Sequence, residues 1–217
     1  MIALRKPLAV LLAALAAVWS FSELSEAALG LEPRGFDERL LLLLREAGDL
    51  ADPLGPAWLE QALRDITSLG SLTVVALVSL LAALALLRAH RPLAAVGGWI
   101  AVGTAEAASM LLKVGYARPR PDLVAHEVEV TTASFPSGHA MLAAVAYLTW
   151  ALLLTSRQEP RARTLALALA LVLTAAIGSS RVYLGVHWPT DVLAGWVIGG
   201  SWAITGYWLV RRLETRG

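Results

Sequence analysis

Long apolar runs separated by short polar segments set the pattern of this chain. The runs are built of Leu, Ala and Val with scattered Gly. They are too continuous for half-exposed strands and read as helices. Six of them approach the roughly 20 residues that a helix needs to cross hydrocarbon: Pro7–Ser22, Ser71–Leu87, Pro92–Val114, His139–Thr155, Thr164–Ser179 and Asp191–Val210. The shorter ones call for an extra turn or a thinned bilayer. The pattern predicts an all-α polytopic membrane protein with six transmembrane helices, forming a single domain over residues 1–217.

The first polar stretch, Glu23–Gly70, is too long for plain coil. Phe36–Arg45 holds five consecutive leucines between charges, and Trp58–Leu69 sets Leu59, Leu63, Ile66 and Leu69 at helical spacing. Asp52-Pro53 and Pro56 punctuate helix starts. Two short amphipathic helices lying at the interface are expected here, with packing on the bundle for stability as the other reading. Arg5 and Lys6 ahead of the first run also resemble a cleavable signal peptide. No small-x-small cleavage site precedes a soluble domain, and Trp19 and Phe21 look like an interfacial anchor, so the first span is expected to be retained.

Composition agrees with a membrane chain. Of 217 residues, 57% are hydrophobic and 16% charged, and the mean hydropathy is +0.63; a soluble domain carries roughly 25% charged residues. A disordered chain and a soluble nucleic-acid binder are poor readings. The absence of Cys excludes a disulfide framework, a thiolate metal site and a cysteine nucleophile. The net charge of +1 conceals a segregation. Arg5, Lys6, Arg88, Arg91, Arg157, Arg161, Arg163, Arg211, Arg212 and Arg216 flank one set of helix ends, whereas Glu23–Gly70 carries ten carboxylates against four Arg. The positive-inside rule then puts both termini in the cytoplasm and segments 115–136 and 180–190 outside.

Three polar clusters fall on that outer side: Lys113 to Pro121, Ser134 to His139, and Ser180 to Asp191. Lys113, Arg120 and Arg181 packed together repel one another unless an anion joins them, and Arg forks suit phosphate oxygens. Ser137 adds a hydroxyl, Gly138 permits close backbone approach, and a helix start adds N–H groups and a favourable dipole. His187 and Asp191 are four residues apart, so the carboxylate can orient the imidazole as a nucleophile. His139 arrives from another helix and can protonate a leaving oxygen. Arg118 reads as a snorkelling cation, and His90 and His126 as structural. Asp191 also suits a helix N-terminus in its own right. Glu106, seven residues before Lys113, is an intramembrane carboxylate with functional and packing readings in balance.

Lys113–Pro121 has the pattern K-x6-R-P, Pro136–His139 is P-S-G-H, and Ser180–Asp191 is S-R-x5-H-x3-D. Together they resemble the three-part signature of the type 2 phosphatidic acid phosphatase superfamily. The resemblance implies a six-helix membrane bundle and a reaction without metal or cofactor. Lys113, Arg120, Ser137, Gly138 and Arg181 would bind phosphate, with His187 as nucleophile, Asp191 its partner and His139 the acid. The expected substrate is a lipid phosphate or diphosphate: undecaprenyl diphosphate, phosphatidylglycerophosphate, phosphatidate or a lipid A phosphate. A lipid phosphotransferase using the same phosphohistidine is the alternative, separable by product analysis. A transporter or anion channel accounts for the cations but not for the histidines. A bacterial inner membrane and no nucleic-acid partner complete the expectation.

Overall fold

A computed structural model describes residues 19–26, 29–30 and 35–216. Most of the first expected span, together with Arg5 and Lys6, lies outside the described residues. Residues 19–26 are helical (α1). Then follow α2 (Gly35–Leu42), a two-stranded antiparallel hairpin of β1 (Arg45–Glu46) and β2 (Asp49–Pro53), and α3 (Ala57–Ser68). The long helices are α4 (Leu72–Arg88), α5 (Pro92–Tyr116), α6 (Gly138–Leu154), α7 (Pro160–Tyr183) and α8 (Pro189–Glu214).

The five long helices match the last five expected spans, with α7 and α8 longer than anticipated. α5 and α7 are each long and apolar enough to cross a bilayer, and α3 with α4, bent by 54°, adds a third candidate. Six spans exceed what the length and composition of the described helices establish: α6 has only 17 residues, and charged side chains stand at both ends of α8.

α6 is the hub, packed against α4, α5, α7 and α8. Its run Ala140–Ala146 is buried throughout, because a helix of small apolar residues offers neighbours a surface on every side. Opposite it, Gly195 and Gly199 on α8 form a small-xxx-small face that lets the two backbones close up. A Cβ on Gly195 would stand 2.8 Å from the Ser137 carbonyl oxygen, and one on Gly199 would stand 2.6 Å from that of Met141. At the other end of the bundle, Arg91 is 5% exposed. It pairs with Glu214 at 2.9 Å and donates to the Leu153 carbonyl at 2.6 Å. Arg91 is therefore a buried clamp joining three helices as well as a charge near a helix end.

The first outer stretch departs from expectation. Asp52-Pro53 closes a strand rather than opening a helix, and Pro56 is the residue that caps α3. On α2, Phe36 is exposed while Asp37 is buried. Leu40 and Leu42 face away from the protein, which suits lipid, whereas Leu41 and the acid turn inward on one face. α3 packs on α7. These helices form a cap on the C-terminal end of α7 and the N-terminal end of α8, with Arg45 Nη1 donating to the Tyr183 carbonyl at 2.8 Å and Tyr183 Oη to that of Leu54 at 3.0 Å.

The α6–α8 crossing generates a prediction. Gly199→Ala pushes a methyl group against backbone, which cannot rotate away, and should destabilise the detergent-solubilised protein by about 1–3 kcal/mol. Gly200→Ala, with open space around its Cβ, should be neutral or slightly stabilising. Thermal unfolding of the two variants checks the pair.

Candidate active site

One cavity of about 230 Å³ at the capped end of the bundle is lined by Lys113, Arg120, Gly138, His139, Arg181 and His187, with Glu106 also on its wall. Lys113 comes from the last turn of α5, Gly138 and His139 from the first turn of α6, and Arg181 from the last turn of α7. Arg120 comes from the 117–137 loop and His187 from the short turn before α8. Ser137 caps α6, fully buried, and its hydroxyl has no hydrogen-bond partner among the described residues. The three polar clusters thus meet, because a bundle of alternating helices returns the ends of α5 and α7 and the starts of α6 and α8 to one side.

How the cations are held separates two kinds. Lys113 Nζ donates to the Ala133 carbonyl at 2.7 Å. Arg120 donates to the carbonyls of Thr132 (2.8 Å) and Val186 (2.5 Å). Arg181 Nη1 donates to Thr67 Oγ1 at 3.0 Å, and its Nε is buried without a hydrogen-bond partner among the described residues. Neutral oxygens orient these three groups without cancelling their charge. Arg118 is the opposite case: 2% exposed, it pairs with Asp191 at 2.5 Å and Asp37 at 2.8 Å. The expectation that Arg118 snorkels is wrong, because two buried carboxylates draw its guanidinium inward.

His187 is 2% exposed, and burial holds its imidazole at about 3, well below the ordinary value and against the upward pull of Asp191. The ring is therefore neutral. Its Nε2 lies 3.1 Å from Arg120 Nη1. A guanidinium has only donors, so Nε2 presents its lone pair and the ring proton sits on Nδ1. Nδ1 faces Asp191 Oδ2 at 3.5 Å and Ser134 Oγ at 3.4 Å. Ser134 Oγ in turn donates to Asp191 Oδ2 at 2.5 Å, and the Trp188 N–H donates to the same oxygen at 2.9 Å. Asp191 therefore lies beside the Nδ1 edge of the ring, with the hydroxyl of Ser134 in contact with both acid and ring. An oriented base, a second imidazole and three uncancelled cations around one cavity can bind a phosphate and attack its phosphorus.

Several of these contacts were beyond sequence reading. Asp37 is one of ten carboxylates in its stretch, and nothing local marks it. Thr67 and Thr190 look like ordinary helix residues. Ser134 had a signal, its place just ahead of P-S-G-H. His126 is structural as read, with Nε2 2.7 Å from the Pro121 carbonyl oxygen; His90 is exposed in the turn between α4 and α5. Among the described residues no group of three His, Asp or Glu side chains is arranged to hold a metal ion.

The PAP2 superfamily model matches residues 99–214. Phosphatidylglycerophosphatase B of Escherichia coli (strain K12) is 41% identical over 93 residues, 42% of this chain and 34% of that one. An undecaprenyl-diphosphatase of Sulfolobus acidocaldarius is 43% identical over 76 residues, 35% of this chain and 32% of that one. The chain thus spans about a third of the length of these curated relatives. The crystal structure of a transmembrane PAP2 type phosphatidylglycerolphosphate phosphatase from Bacillus subtilis superposes with a TM-score of 0.75 at 26% identity, covering 93% of this chain and 96% of that one.

Because Arg181 contributes a charge that no carboxylate cancels, Arg181→Gln should weaken orthovanadate binding about 10- to 100-fold, the worth of a charge-assisted hydrogen bond. Calorimetric titration of the purified protein with vanadate checks it.

Proposed function

The chain is an integral membrane protein that belongs to the PAP2 superfamily, and from that premise we propose that it is a lipid phosphatase working through a phosphohistidine. The observation that carries the reading is the lone pair of His187 Nε2 set beside three cations held by neutral oxygens. A phosphate entering the cavity takes over the Arg120 fork from Nε2, which frees the lone pair and turns the guanidinium onto a phosphate oxygen. Nε2 then forms a bond to phosphorus as the bond from phosphorus to the lipid oxygen breaks. The departing oxygen keeps the electron pair and takes a proton from His139, which carries that proton once the negative charge of the bound phosphate offsets the three cations around it. Asp191 balances the positive charge that the ring acquires, and Nδ1 retains its proton. In the second half, His139 accepts a proton from water, the resulting oxygen attacks phosphorus, and phosphate leaves as Nε2 recovers its lone pair.

The substrate we propose is a lipid phosphate or diphosphate such as phosphatidylglycerophosphate, phosphatidate or undecaprenyl diphosphate, taken from the outer leaflet. The experiment that tests this is phosphate release from such a panel by the purified full chain in detergent with a strong chelator present. Release without a gradient and without a metal supports it, and loss of activity restored by one divalent metal sinks it. We further propose six spans, both termini in the cytoplasm of a bacterial inner membrane, and the cavity facing outward.

The orientation makes a prediction of its own. A Cys introduced at Thr131, on the cavity wall of a Cys-free chain, should react with an impermeant thiol reagent on intact spheroplasts. Labelling only after permeabilisation would invert the topology.

The two histidines make the other. His187→Ala should abolish turnover of every substrate, since no phosphoenzyme forms. His139→Ala should be slowed severely on a lipid phosphomonoester and far less on an aryl phosphate, whose leaving group departs without a proton. The difference should approach the roughly 10²–10⁴-fold that general acid catalysis supplies. Steady-state rates on both substrates check it, and rescue of His187→Ala alone by the aryl ester reverses the roles.

A further inference from the structure

We propose that Asp37, on the short outer helix α2, is a positioning residue for phosphoryl transfer: through Arg118 it sets the net charge of the carboxylate group that stands behind His187. The inference rests on the lipid-phosphatase reading above and concerns residues outside its three motifs.

Asp37 is 2% exposed and lies one turn from the fully buried Leu41 on the inward face of α2. Its Oδ2 accepts from Arg118 Nη2 at 2.8 Å and from Thr190 Oγ1 at 2.6 Å, and its Oδ1 accepts from the Thr190 N–H at 2.9 Å. Arg118 Nη1 reaches Thr190 Oγ1 at 2.9 Å and Asp191 Oδ1 at 2.5 Å. One guanidinium is therefore shared between two carboxylates, all three nearly or fully excluded from solvent. Thr190, the residue before Asp191, knits the group to the start of α8 by accepting from Arg118 and donating to Asp37.

Charge arithmetic gives the arrangement a chemical meaning. Arg118 and Asp191 alone would form a neutral pair, and a neutral pair offers little to a ring that becomes cationic when Nε2 bonds phosphorus. Asp37 makes the group net negative by one charge, which matches the charge that develops on His187. In a buried site that match weighs far more than it would in water. Arg118 meanwhile occupies Oδ1 and leaves Oδ2, the oxygen that faces Nδ1, to Ser134 and the Trp188 N–H. The first outer helix is then part of the catalytic apparatus as well as its cover.

A tie of purely structural value and a charge-setting role predict different things for a double variant. Asp37→Asn keeps the shape and removes the charge. It should lower kcat on an aryl phosphate by about 10- to 100-fold with KM and vanadate affinity within about threefold of wild type. Adding Arg118→Gln restores the net negative charge on Asp191, so Asp37→Asn/Arg118→Gln should regain a large part of the lost kcat. If the contacts served folding alone, the double variant would be the worse of the two. Asp37→Glu, which keeps the charge, should retain most of the activity and provides the comparison should the double variant fail to purify. The proposal is overturned if Asp37→Asn keeps wild-type kcat. It is also overturned if the double variant still binds vanadate yet falls at or below Asp37→Asn, or if Asp37→Glu is as slow as Asp37→Asn. Absence of phosphate release by the wild-type protein would instead overturn the reading of the site itself.

Discussion

Three cations held close together at the edge of an apolar bundle, none of them ion-paired to a carboxylate among the described residues, are the constraint on which the capped half of the structure depends. Lys113, Arg120 and Arg181 repel one another and lose hydration as they are buried. The protein meets this by aiming neutral oxygens at them: the carbonyls of Thr132, Ala133 and Val186 and the hydroxyl of Thr67. Carbonyl dipoles orient a guanidinium without cancelling its charge, so the cavity keeps its attraction for an anion. The path of the 117–137 loop follows from this need, since its backbone has to pass the cations with its oxygens turned inward.

The same economy of charge explains why the carboxylates are kept on the far side of His187. Asp191 and Asp37 are both buried, and each is engaged by Arg118. A carboxylate placed in the cavity itself would compete with a phosphate for the cations. Glu106, on the cavity wall nearer the membrane interior, is the exception. The cap built from α2, the hairpin and α3 is drawn into the site at two points, Asp37 on Arg118 and Thr67 on Arg181. A segment that reads as a membrane-surface decoration therefore supplies hydrogen-bond partners to Arg118 and Arg181.

Packing and chemistry also meet at the α6–α8 crossing. His139 opens α6 and His187 immediately precedes α8, so the separation of those helices sets the separation of the two imidazoles. Gly195, against the Ser137 carbonyl oxygen, holds the helices close at the level of the site. Rigid backbone-to-backbone contact positions groups more exactly than side chains on loops can.

The sequence by itself determined the helical bundle, the close match of α4, α5 and α6 to their expected spans, and the presence of Lys113, Arg120, His139, Arg181 and His187 on one side of it. Apolar runs of membrane length permit few structures other than helices, and motif residues such as Lys113, His139 and His187 stand out because polar groups are expensive in such surroundings. Tertiary structure alone decided which charges are cancelled. Arg118 and Arg120 are separated by one residue and look alike along the chain, yet one is buried between two acids and the other faces the cavity. Asp37 meets Arg118 across 81 positions and Thr67 meets Arg181 across 114. Local pattern carries no trace of such pairings, because a polar side chain's role is set by the partner that burial brings to it.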